Sequence, residues 1–185
     1  MQDLRQFRNQ QAYHQAFWTL LERKSYEKIT ISDFPEVCGL NRKTFYSYYK
    51  DVDELAGECI RELINRILSV NVQDYTNWDA TYLMFEKIIR YQKEVRLIVE
   101  RGLDKLVHEE MSRKSHSLED RVMTEGMEYD GELLHEYSVA ISWRCMVWGM
   151  RHADWTPEEL TRTCLNTYRG YITMMANQYK SGGIR

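Results

Sequence analysis

The sequence predicts an all-α fold with a helix-turn-helix near its N-terminus. Three observations carry the prediction. Apolar residues recur at three- and four-residue spacing in one segment after another. No stretch alternates apolar and polar residues for long enough to make a strand, and no Asn-Gly or Asp-Gly turn is bracketed by β-branched runs. Only two prolines and nine glycines interrupt 185 residues, of which 43% are apolar, ample for a core.

The first helix runs from about residue 4 to 24, with Tyr13, Ala16, Phe17, Leu20 and Leu21 as its apolar stripe. A polar connection, residues 24–28, follows. Thr30 and Asp33 then form a capping pattern for a second helix ending near Cys38. Pro35 constrains where that helix begins. With Thr30 as the cap, Pro35 falls in the second turn and removes a backbone hydrogen bond. With Ser32 as the cap it falls in the first turn, where proline is tolerated. A late start or a distorted second helix is therefore expected.

Gly39 supplies the tolerance of positive φ that a helix-turn-helix needs. Asn41 caps a third helix, 42–49, which carries Arg, Lys, Thr and three tyrosines. Asp51, with Glu54 three residues on, starts a fourth. In it Leu55, Ala56, Cys59, Ile60, Leu63, Ile64, Ile67 and Leu68 follow regular helical spacing, so one end can pack beneath the preceding helices and the other can join the rest of the chain. Beyond residue 71 the expected helices are 81–92, 95–111, 118–128, 132–152 and 157–179. The last begins on a cap, a first-turn proline and two glutamates, Thr156 to Glu159. The tail 181–185 reads as disordered.

The same residues bound the function. No apolar run approaches the roughly 18 to 20 residues of a membrane span, and the polar start MQDLRQFRNQ has no apolar signal core, which gives a cytoplasmic expectation. Cys38, Cys59, Cys145 and Cys164 are scattered, with no Cys-x-x-Cys pair, and the histidines show no i, i+4 pairing, so no metal and no cofactor is expected. The catalytic signatures of nucleophile elbows, phosphate loops, dinucleotide sites and zinc proteases are missing, and the adjacent pairs Glu109/Glu110 and Glu158/Glu159 diverge on a helix; an enzyme is not expected. Net charge is −3, but it is unevenly spread. Residues 1–50 carry eight Lys/Arg against five Asp/Glu, a net of +3, and the remaining 135 carry 17 against 23, a net of −6. A basic N-terminal segment on an acidic remainder suits a polyanionic partner, double-stranded DNA.

Arg42, at the start of the third helix, can reach guanine O6 and N7 with two donors. Lys43 can reach a base or a phosphate. Tyr46 and Tyr48 offer hydroxyls to phosphates, and Thr30 with the N-terminus of the second helix offers a further anion contact. Phe45 and Tyr49 read as core, and Tyr46 can pack its ring while turning its hydroxyl outward.

Over about residues 7–56, without gaps, the sequence resembles the helix-turn-helix signature of the TetR family of transcriptional regulators. That signature runs Thr-hydrophobic-x-Asp-Ile-Ala-x-x-Ala-Gly-Val-Ser-x-x-Thr-hydrophobic-Tyr-x-x-Phe, followed by a polar turn and a leucine. Thr30, Asp33, Gly39, Thr44, Phe45, Tyr46 and Leu55 fall on matching positions, and Phe34, Leu40 and Tyr49 are conservative replacements. The resemblance implies a three-helix DNA-binding head, 1–50, a connecting helix, 51–70, and a larger helical body, 71–180, that binds a small effector and dimerises. The dimer contact would be a four-helix bundle made by 132–152 and 157–179 of each subunit, where Gly149 would permit close helix approach. DNA contacts would come from Thr30, Asn41, Arg42, Lys43, Thr44, Tyr46, Tyr48 and Lys50. Pro35 replaces the usual alanine, Asn41 the usual Ser or Thr cap, and Val52 a lysine that many members place beside a phosphate; Lys50, Lys28 or Lys24 would have to substitute for it. Asn41-Arg42-x-Thr44-Phe45-Tyr46 with Lys50-Asp51 also resembles the branch of dihydroxyacetone kinase operon regulators, some of which answer to a protein partner.

The body is rich in aromatics and methionines. Tyr82, Phe85, Met111, Met123, Met127, Tyr137 and Trp143 are candidates for an effector cavity, although residues of this kind at helical spacing also build cores and interfaces. The reading is a homodimeric repressor, released from a palindromic operator by a small effector. The rival is an interaction module whose body docks a partner protein, or a regulator whose DNA binding depends on a coactivator.

Overall fold

The structure, a computed structural model, describes residues 4–68, 78–115 and 131–180. Among them lie nine α-helices and no strand: α1 (Leu4–Arg23), α2 (Phe34–Cys38), α3 (Arg42–Tyr46), α4 (Val52–Ile67), α5 (Trp78–Arg90), α6 (Gln92–Glu100), α7 (Asp104–Ser115), α8 (Gly131–Arg151) and α9 (Pro157–Lys180). The expected helix 118–128 and the tail 181–185 lie outside the described residues.

The stripe of α1 is buried as its spacing requires, from Tyr13 to Leu21. Pro35 is accommodated by splitting the second helix. A 3-10 turn, Ile31–Asp33, takes the start that Thr30 caps, and α2 begins only at Phe34 with Pro35 in its first turn. There the missing N–H would have had no helical acceptor. Asp33 closes the start: its Oδ2 accepts from the Thr30 N–H at 2.7 Å and from the Thr30 hydroxyl at 3.0 Å. Gly39 ends α2 at φ +70°, and its N–H donates to the Pro35 carbonyl.

The side-chain oxygen of Asn41 accepts from the Thr44 N–H at 2.9 Å and starts α3. This helix ends at Tyr46, earlier than the expected Tyr49, and the chain continues as turns in which the Tyr48 and Tyr49 N–H groups share the Phe45 carbonyl. Asp51 caps α4 through the Glu54 N–H at 2.8 Å, while the Glu54 carboxylate accepts from the Lys50 N–H at 2.7 Å.

One segment departs from expectation more clearly. The predicted helix 95–111 is two helices, α6 and α7, separated at Gly102, whose φ is +75°. The apolar spacing carries on through the break because Val95, Ile98, Leu103 and Val107 all face the same core. Periodicity alone does not register a change of helix axis.

A continuous core runs from Tyr13 in α1 to Leu160 in α9. Within it α4 packs on α1 and α7, α5 on α8 and α9, and α8 also on α6 and α7. Gly149 of α8 faces Phe85 of α5, where an added Cβ would lie 2.7 Å from the ring. The close approach expected at Gly149 is therefore made within the subunit.

Candidate nucleic-acid interface

Around α3 the aromatic residues divide into a buried set and an exposed set. Tyr13, Phe34, Phe45 and Tyr49 are buried in mutual contact, with Tyr13 centred 5.3 Å from Phe45 and 6.0 Å from Tyr49, edge to face in both cases. Burial pushes the Tyr13 hydroxyl up to about 12. It stays protonated and donates to the Asn41 carbonyl at 3.4 Å. This cluster fixes the roll of α3 about its axis and so determines which residues face outward.

Asn41, Arg42, Lys43, Tyr46, Ser47 and Lys50 are exposed, and Tyr46 is 54% exposed. Arg42 and Lys43 form no ion pair with other described residues. The two cations thus stand at the N-terminal end of a rigidly held helix with their donors turned to solvent. The remaining predicted contacts have local bonds. The Thr44 hydroxyl donates to the Asn41 side-chain oxygen at 3.1 Å. The Tyr48 hydroxyl accepts from Asn9 of α1 at 3.1 Å. Thr30 is held by Asp33, whose carboxyl is pulled below its ordinary value by Lys24, 2.6 Å away, and by the two Thr30 bonds. Lys50 lies 3.9 Å from Asp51. Of the lysines that could replace the cation missing at Val52, Lys24 is committed to Asp33, while Lys28 and Lys50 remain exposed.

No protein-family model matches the chain. Over 86 residues it is 26% identical to the HTH-type dhaKLM operon transcriptional activator DhaS of Lactococcus lactis subsp. lactis (strain IL1403), a match covering 46% of this chain and 44% of that protein. Among solved structures it is similar to the dihydroxyacetone kinase operon activator DhaS, at 18% identity and a TM-score of 0.54, over 89% of this chain and 96% of that one. It is also similar to the TetR transcriptional regulator from Streptococcus agalactiae 2603V, at 17% identity and a TM-score of 0.62, over 88% and 95%. The fold is that of the TetR regulators.

Within this TetR fold, several contacts tie the helix-turn-helix to the remaining helices. Sequence reasoning passed over most of them. His14 is buried in α1; its Nδ1 donates to Glu62 of α4 at 2.9 Å, and its Nε2 lies 3.2 Å from the Tyr49 hydroxyl and 3.5 Å from Glu58. Arg101, in the break after α6, donates from Nε to the Leu21 carbonyl at 2.8 Å and from Nη2 to the Glu22 carbonyl at 3.1 Å, satisfying the end of α1. Lys93 of α6 pairs with Glu22 at 2.6 Å. Arg61 of α4 reaches Glu110 of α7 through two bonds, of 2.8 and 3.2 Å, and Glu110 is only 3% exposed. The one signal in the sequence was His14, a titratable residue beside Tyr13 on an apolar stripe.

The candidate effector residues are dispersed. Phe85 and Met111 lie in the core, and Trp143 is buried with its Nε1 donating to Asp104 at 2.9 Å. Tyr82 and Tyr137 are exposed. Met123 and Met127 lie outside the described residues.

Proposed function

We propose that this chain is a sequence-specific transcriptional regulator that binds a near-palindromic operator as a homodimer, reading DNA through α3. The observation that carries the reading is the pair Arg42 and Lys43, exposed at the start of a helix whose orientation is fixed by the buried Tyr13, Phe34, Phe45 and Tyr49. A guanidinium so placed suits a guanine edge, and the flanking Tyr46 and Lys50 suit phosphates. Residues 1–50 form the DNA-binding unit in this reading, 51–70 the connection, and 71–180 the dimerising and effector-binding unit.

Dimerisation is supported by an apolar face exposed among the described residues. Leu133, Tyr137 and Ile141 of α8 recur every four residues, and Tyr168, Tyr171 and Met174 of α9 every three; all are exposed. The reading requires a second copy on this face to set the two α3 helices on successive major grooves, about 34 Å apart. Arg101, bonded to the end of α1, ties the body to the DNA-binding unit, and the Arg61–Glu110 bridge from α4 to α7 ties it to the connection. A ligand that binds one head spacing more tightly than the other shifts the population and hence DNA affinity.

Selection from a randomised duplex library by the purified chain tests this function. Enrichment of an inverted repeat with half-sites one helical turn apart is expected; recovery of no common sequence overturns it. Repression follows if the operator overlaps its promoter. Activation is favoured by the similarity to DhaS, which is called an operon activator. Transcription by RNA polymerase from a promoter carrying the selected site separates the two: added protein lowers the transcript in the first case and raises it in the second.

A further inference from the structure

Of the four cysteines, two stand together. The Sγ atoms of Cys145 in α8 and Cys164 in α9 are 3.9 Å apart, on helices joined by the short turn before Pro157. Both are half-buried. The other two are differently placed. Cys38 donates its S–H to the Phe34 carbonyl at 3.1 Å. Cys59 is on the buried face of α4, where burial holds its thiol well above the ordinary value. Neither has a second sulfur in hydrogen-bond contact among the described residues.

From this geometry we infer that Cys145 and Cys164 form an oxidisable dithiol, which hydrogen peroxide converts into an intrachain disulfide joining α8 to α9. A disulfide needs a sulfur separation of about 2.05 Å. Closing the gap takes about 2 Å of movement, within reach of side-chain rotation and a small helix shift. The order of events follows from the contact between the two groups. The Cys164 S–H can donate to the Cys145 sulfur, which holds the Cys145 thiol below its ordinary value in spite of its burial; the same contact, with burial, pushes Cys164 up. Cys145 is therefore the nucleophile. Its thiolate attacks one peroxide oxygen, the S–O bond forms as the O–O bond breaks, and the departing hydroxide takes a proton and leaves as water. Cys164 then attacks the sulfenic sulfur, the S–S bond forms as the S–O bond breaks, and the hydroxyl leaves as water with the Cys164 proton. Two thiols and one peroxide give one disulfide and two waters.

The test is peptide mapping of the folded full-length chain after peroxide treatment and alkylation of the remaining thiols. The expected product is a Cys145–Cys164 cross-linked peptide that dithiothreitol reverses, with Cys38 and Cys59 recovered alkylated. In Cys164→Ser, Cys145 should accumulate as a sulfenic acid that dimedone traps; in Cys145→Ser, dimedone should label neither position. Recovery of Cys145 and Cys164 as separately alkylated peptides from the peroxide-treated wild type overturns the inference. So does a cross-link between isotopically distinct chains in a mixture of labelled and unlabelled protein. Because the decisive mapping uses the wild-type chain, the result stands even if a serine variant fails to fold.

Discussion

The side-chain oxygen of Asn41 is taken up by the Thr44 N–H and hydroxyl, so its first role is to start α3, and Arg42 and Lys43 are presented by that start. Asp33 acts likewise one helix earlier, holding Thr30 while paired with Lys24. These bonds make the helix-turn-helix sensitive to acid. The Asp33 carboxyl is depressed mainly by Lys24. Burial pushes Glu62 up, but the bonds from His14 and Arg66 outweigh it and hold that carboxyl below its ordinary value as well. A carboxyl depressed in the folded chain stabilises fully above its unfolded value and loses that contribution as pH falls through the folded value. Urea melts between pH 7 and pH 3 should therefore show stability declining below about 4.5, the usual carboxylate range. Lys24→Met should make the curve shallower by removing the Asp33 share. A curve unchanged by Lys24→Met would show that this pair does not contribute.

Capping and glycine placement account for the elements. The starts of α3, α4 and α9 were legible because Asn41, Asp51 and Thr156 are strong caps with a partner three residues on, and each makes its expected bond. The break between α6 and α7 was not legible, because Leu103 and Val107 continue the apolar register of α6 across Gly102. Gly39→Ala meets no neighbouring atom but forces an L side chain to φ +70°, so it should lower stability by about 1 to 2 kcal/mol, read from the urea midpoint. Gly149→Ala has opposing effects. Alanine favours a helix by about 1 kcal/mol. Its Cβ would lie 2.7 Å from the buried Phe85 ring, and such overpacking costs about 1 to 3 kcal/mol. The clash should dominate, with a net loss of stability. A more stable Gly149→Ala chain would mean that Phe85 yields easily.

At the scale of the whole molecule, the exposed apolar face on α8 and α9 and the cations on α3 lie on different elements, and the proposed function needs both. Light scattering should give about twice the 22.3 kDa chain mass. Ile141→Glu, which buries a charge in the proposed contact, should give the monomer and weaken operator binding steeply with dilution. A wild-type monomer at micromolar concentration would remove the paired-head geometry. The exposed face of α3 was legible in the sequence because Arg42, Lys43 and Tyr46 follow a turn glycine and a cap at fixed spacing. For the candidate effector residues spacing does not discriminate: Phe85, Met111 and Trp143 recur at the spacing of a pocket wall, and the same spacing builds the core in which they lie. The contacts that join α1 and α4 to the later helices escaped because Arg101 lies 80 and 79 residues from Leu21 and Glu22, and Glu110 lies 49 from Arg61, beyond any local pattern.

The central claim is that Arg42 reads a base while Lys50 holds a phosphate. The most direct test is the affinity of the wild type, Arg42→Ala and Lys50→Ala for the selected duplex and for a scrambled one, each at two salt concentrations. Arg42→Ala should cut the preference for the selected duplex by roughly 5- to 150-fold, the equivalent of about 1 to 3 kcal/mol. Lys50→Ala should weaken both duplexes alike and make the salt dependence less steep. An equal loss on both duplexes for Arg42→Ala would contradict the assignment of base reading to this residue.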